Sequence, residues 1–93
     1  MAGADAMHGQ IAAHPWPRGG VEVVRAARGY TLYSRRTGRP VARLRPTGKS
    51  DDVQVRWWRR DGWSTPGAFR PAIMPLNQAL HFVATEGFFW IGA

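Results

Sequence analysis

From Val21 onward the chain is a series of short β-type runs separated by breaks of only a few residues. Strands joined that closely cannot lie parallel, because a parallel crossover needs a dozen or more residues. The spacing therefore predicts an antiparallel meander. VEVVRA (21–26) reads as the first strand and ends at the break Ala27-Arg28-Gly29. YTLYSR (30–35) is the second, closed by a hairpin turn over Arg36-Thr37-Gly38-Arg39 in which Gly38 suits a positive φ. PVARLR (40–45) is the third, with Pro40 at its first residue, where a missing N–H is tolerated. After the polar loop PTGKSDD (46–52), VQVRWWRR (53–60) has the Val and Trp content of a well-defined strand. Asp61-Gly62 predicts a hairpin into a short strand at Trp63-Ser64-Thr65, ended by Pro66-Gly67.

The two ends of the chain read differently. Residues 1–20 show no sustained period, and Pro15, Pro17, Gly19 and Gly20 close them with breakers. They read as a flexible arm, with Ile11 and Trp16 as its only strong anchors. Near the other end, Pro75 suits the first position of a helix and Gly87 the position just past its end. Between them Leu76, Ala79, Leu80 and Val83 fall at i, i+3, i+4 and i+7, one apolar stripe. Phe88-Phe89-Trp90-Ile91 is too apolar for water and is expected to fold back as core. The expected fold is α+β: an antiparallel β-meander of four or five strands, with one C-terminal α-helix packed on one face. Its single domain spans 21–93.

The segments TLYSRRTGRPVARLR, VRWWRRDGWSTPG and PLNQALHFV, with the closing EGFFW, cover about residues 30–91. Their paired basic residues, Val-Ala-Arg strand, tryptophan-rich hairpin and final Phe-Trp resemble a family of small bacterial domains of unknown function. The resemblance implies a compact α+β domain and carries no activity or site residues with it.

Composition removes several classes of function. Cysteine is absent, which excludes disulfides, thiolate metal sites and a cysteine nucleophile. With 93 residues, the chain buries only about 60–65% of its unfolded surface, enough for one thin core. No apolar run approaches the ~20 residues of a membrane-spanning helix, and the N-terminus has no signal-like pattern, so a cytoplasmic protein is expected. Basic residues number 13 against 6 acidic, for a net charge of +7. That excess favours a polyanionic partner. All the basic residues but Lys49 are Arg, which GC-rich codons also produce, so placement is more telling than residue type.

No catalytic or cofactor constellation emerges. Thr47-Gly48-Lys49-Ser50 ends like a phosphate-binding loop, but Arg43 stands where that motif needs its first Gly, and Asp51-Asp52-Val53 leads into a strand. A tight turn with one exposed Lys is the better reading. His8, His14 and His81 lack a metal-ligand spacing, and the adjacent Asp51 and Asp52 would point apart. The expectation is a protein that is not an enzyme and has neither a bound metal nor a small-molecule cofactor.

One surface does concentrate chemistry. Strand alternation sets Ala42 and Leu44 against Arg43 and Arg45, and Val53, Val55 and Trp57 against Gln54, Arg56, Trp58 and Arg60. Tyr30 and Leu32 join the core, leaving Tyr33 and Arg35 outward. The candidate face is thus Tyr33, Arg35, Arg43, Arg45, Arg56, Trp58 and Arg60. Cations interleaved with rings suit single-stranded nucleic acid, phosphates on Arg and bases on aromatics. The same face also reads as a solvated sheet surface whose Arg stems cover backbone and whose rings stack on their own neighbours. The alternative partner is another protein, or a second copy of this chain, held through exposed Trp and Phe. Trp63 is expected opposite Arg60 if the turn is the two residues Asp61-Gly62, and opposite Arg59 if it has three residues and a bulge.

Overall fold

A computed structural model describes residues 2–59, 62–64 and 72–93. In chain order its elements are α1 (Ala2–Ala13), β1 (Val21–Ala26), β2 (Gly29–Ser34), β3 (Pro40–Pro46), β4 (Asp52–Arg59), β5 (Gly62–Ser64), β6 (Ala72–Pro75), α2 (Leu76–Thr85) and a 3-10 turn (Gly87–Trp90). The strands form one antiparallel sheet in the order β1-β2-β3-β4-β5, with β6 also paired to β4. The meander and the C-terminal helix are as the alternation and the helical stripe predict.

The connections from β1 to β4 are explained by their turn residues. Ala26 pairs with Gly29, so Ala27 and Arg28 alone link β1 to β2, at φ 50° and 63°. Successive left-handed residues match the right-handed twist of a tight hairpin, a place usually taken by Asn-Gly. Here side chains with a Cβ occupy it, at a cost of roughly 1–2 kcal/mol per residue. Between β2 and β3, Ser34 N–H donates to Arg39 O at 2.8 Å and Gly38, at φ 76°, donates to Ser34 O at 2.8 Å. A register shift between Leu32 and Tyr33 leaves Val41 as an extra residue on β3, and both Val41 and Ala42 are buried. Thr47-Gly48-Lys49-Ser50 forms the tight β3–β4 turn. Thr47 N–H reaches Asp52 O at 3.0 Å and Asp52 N–H reaches Lys49 O at 3.0 Å, with Lys49 exposed.

β4 carries the sheet's main departure from expectation. One side pairs with β3, and the other is shared: β5 lies opposite residues 57–59, and β6 opposite 52–55. The extra strand β6 supplies partners for the half of β4 that the short β5 does not reach. The β4–β5 register is also new. Trp58 pairs with Trp63 and Arg59 with Gly62, so Trp63 faces neither Arg60 nor Arg59. Gly62 is the first residue of β5 instead of the last of the turn.

The covered face of the sheet is built from Val21, Tyr30, Leu32, Ala42, Leu44, Val53 and Val55, all buried. The α2 stripe of Leu76, Ala79, Leu80 and Val83 is buried with them in one core. Pro75 caps α2 from outside, one position earlier than expected, and Gly87 follows the C-cap Glu86. Phe89 and Trp90 are buried as expected, and the Trp90 indole donates to Val83 O at 2.8 Å. Ile91 departs from that expectation: it is 80% exposed, in the turn that follows the 3-10 segment and brings Ala93 back into the core.

The stretch 1–20, expected to lack an element, is helical from Ala2 to Ala13. Its Ala content favours a helix, and Met7 and Ile11 stand at i, i+4, one short anchor stripe. Ile11 is fully buried in the core and Met7 packs against it. Trp16 follows the helix, donates its indole N–H to Ile11 O at 2.8 Å and lies 6.4 Å from the Trp90 ring. His8 Nε2 sits 3.3 Å from Val23 O, on the edge strand β1. This contact and Arg35 Nε, which donates to Val21 O at 3.1 Å, occupy two carbonyls of that edge.

Candidate functional site

Both helices pack on the same side of the sheet. α2 and the 3-10 turn cover β4 and β6, while α1 places His8 6.1 Å from Tyr30 and Ile11 within the same core. No helix of the described residues lies on the opposite face. Strand pairing lays its residues out in rows. Val24, Thr31, Arg43 and Arg56 form one, Arg45, Gln54 and Ile73 a second, and Trp58 and Trp63 a third. Glu22 and Tyr33 pair at the β1–β2 end.

The candidate residues divide on this face. Tyr33, Arg43, Arg45, Arg56 and Trp58 lie on it, as alternation predicts. Arg43 is consumed by the fold: Nη1 donates to Thr31 Oγ1 at 2.9 Å, and Nη2 to Ala26 O at 2.9 Å and Ala27 O at 2.8 Å. It clamps the strained β1–β2 turn and covers Thr31, which is only 6% exposed. Arg35 follows the last residue of β2, and its bond to Val21 O ties it to the start of β1 instead of presenting it over the sheet. Arg60 lies outside the described residues.

That leaves Arg45, exposed, and Arg56, half-buried, as cations with no hydrogen bond or ion pair among the described residues. Arg56 and Trp58 stand two residues apart on β4, about 7 Å along the strand. Trp58 meets Trp63 edge-to-face, centroids 5.1 Å apart at 72°, and both rings are half-buried. An edge-to-face pair occupies the edge of one ring and one face of the other, so ring surface remains toward solvent. Val24 and Ile73, on the same face, are 39% and 51% exposed.

The face gains Trp63, Gln54, Val24 and Ile73 over the seven expected residues. Gln54 was visible in the alternation of β4. Trp63 depended on the hairpin register, and Ile73 on a strand too short to carry a period. On the covered side, His14 has its pKa lowered, first by burial and then by the nearby His81 charge. No group of three or more possible metal ligands occurs among the described residues. None of the described helices is long and apolar enough to cross a membrane. Comparison with protein-family models, curated proteins and solved structures finds no match to this chain.

Proposed function

We propose that this protein is a non-catalytic binding module that holds single-stranded nucleic acid on the open face of its sheet. The observation that carries the reading is the unfilled chemistry on the face of the Trp58–Trp63 pair: Arg56, next to it on β4, and Arg45, in the row beyond, have no partner among the described residues, and no described helix covers them. Arginine supplies phosphate contacts, and half-exposed rings supply stacking worth about 1–3 kcal/mol per base. The chain's +7 charge draws a polyanion toward it.

Titrating a mixed-sequence single-stranded DNA or RNA decamer against tryptophan fluorescence tests the reading. Quenching is expected, and affinity falls with salt at a log–log slope of about −1.4 if two phosphates are neutralised. Absence of binding to either polymer at low salt rejects it. A second reading, self-association through the same face, is favoured by the exposure of Ile73 and Val24. Phe89 and Trp90 are buried and contribute nothing to it. Sedimentation equilibrium decides between them: a dimer that dissociates on oligonucleotide addition places both on one surface, and a monomer at all concentrations removes the second.

A further inference from the structure

A separate feature lies at the end of the sheet, where the β1–β2 and β3–β4 turns sit side by side. There the chain forms an open cleft of about 570 Å³, walled by Arg25, Arg28 and Arg45, by Gly48 of the β3–β4 turn, and by Met7 of α1. Among the described residues no Asp or Glu lines it, and none of the three guanidiniums has a hydrogen bond or ion pair. Like charges gathered around one concavity repel each other, and a bound anion turns that repulsion into attraction. We infer that this cleft is a binding site for a multiply charged phosphate group, of the pyrophosphate class.

The local backbone is built to present Arg28 to it. Arg28 is held at φ 63° beside Ala27 at φ 50°, a conformation side chains rarely adopt. Strain of this kind persists only where the surroundings enforce it. Arg43 is what enforces it, donating Nη2 to both Ala26 O and Ala27 O. Gly29 makes room for that clamp, since a Cβ there would stand 3.0 Å from Arg43 Nη2 and 3.0 Å from Leu44 O. Arg43 is therefore a positioning residue, and Arg25, Arg28 and Arg45 are the groups that meet the ligand. Their planar forks match phosphate oxygens in pairs, which a lysine cluster would not do. The volume lies within the range of ordinary small-ligand sites and accommodates more than a single phosphate. The cleft shares Arg45 with the open face, but it does not rest on the open-face reading, because Arg25 and Arg28 lie outside that face.

The test is calorimetric titration of the full chain with inorganic pyrophosphate at low salt. Saturable binding at one site is expected, weakened about tenfold or more in the Arg25→Gln/Arg28→Gln double variant and unchanged in Trp58→Ala. Arg28→Gly gives a second variant that relieves the left-handed strain, so its loss of binding cannot be ascribed to misfolding. Absence of saturable binding, or equal affinity in the wild type and both cleft variants, overturns the site. Displacement of pyrophosphate separates the two sources of the phosphate. Displacement by a 5′-phosphorylated decamer but not by its 5′-hydroxyl form supports a strand end as the ligand. Displacement by a nucleoside diphosphate alone supports a small phosphate ester. Decamer binding that fails while pyrophosphate binding persists rejects the open-face reading and leaves the cleft standing.

Discussion

Trp57 and Trp58 are chain neighbours that face opposite ways. Trp57 lies on the covered side, its ring 4.8 Å from Phe88 of the 3-10 turn, alongside Trp16 and Trp90. Trp58 lies on the open side and, among the described rings, meets only Trp63. The contrast shows that residue type does not decide role in a thin two-layer domain. Strand parity does, because a step of one residue moves a side chain from core to surface. The arginines divide in the same manner but for another reason. Arg43 and Arg56 share a row on the open face, yet Arg43 is spent on a turn and Arg56 is not.

Substitutions on the two sides break this comparison or sharpen it. Trp57→Ala should cost about 3 kcal/mol of stability in urea unfolding, since it empties a packed position under the 3-10 turn. Trp58→Ala should change stability far less and weaken decamer binding by about 1–3 kcal/mol, read by fluorescence anisotropy. If the two variants behave alike in both assays, parity does not separate core from surface. The paired arginines come next. Arg43→Met should lose about 1–2 kcal/mol of stability by releasing the β1–β2 turn and leave the salt slope of binding unaltered. Arg56→Met should leave stability within about 0.5 kcal/mol and make the salt slope shallower by about 0.7.

The smallest expected effect concerns His14, just past the end of α1, whose ring meets that of Trp16 with centroids 4.7 Å apart. Burial, then the charge of His81, holds its pKa below the ordinary 6.5. A folded-state pKa below the unfolded one means the unfolded chain binds more protons in that window, so stability rises with pH through it. Stability from this source is full above about pH 6.5 and declines on acidification below it. His14→Gln should therefore narrow the difference in melting temperature between about pH 7.5 and pH 5.5. A variant with the wild-type difference removes His14 as its source.

Where a period runs long enough, the fold is legible from residues alone. Strands β1 to β4 each run for six or more residues between clear turn signals, and the α2 stripe repeats over two turns. β6 has four residues and no alternation to count, and it is stabilised by vacant backbone groups on β4 that only pairing reveals. Helix α1 is held by Met7 and Ile11, a stripe of two positions that is too short to count as a period. The same limit divides the site. Parity alone assigns Arg45, Arg56 and Trp58 to the open face. The engagement of Arg43 does not follow from parity, because it arises when β3 brings a long side chain under a turn more than fifteen residues earlier. Arg35 leaves the face for a simpler reason: it lies one residue past the end of β2, where strand alternation no longer sets its direction.

The five tryptophans allow the central claim to be tested residue by residue. Titration of a 15N-labelled sample with a single-stranded decamer follows each indole N–H separately. Shifts confined to Trp58 and Trp63, with Trp16, Trp57 and Trp90 holding their positions, are the expected result. Unmoved indoles at Trp58 and Trp63, or shifts at Trp16 and Trp90 in their place, would contradict the assignment of the open face as the binding surface.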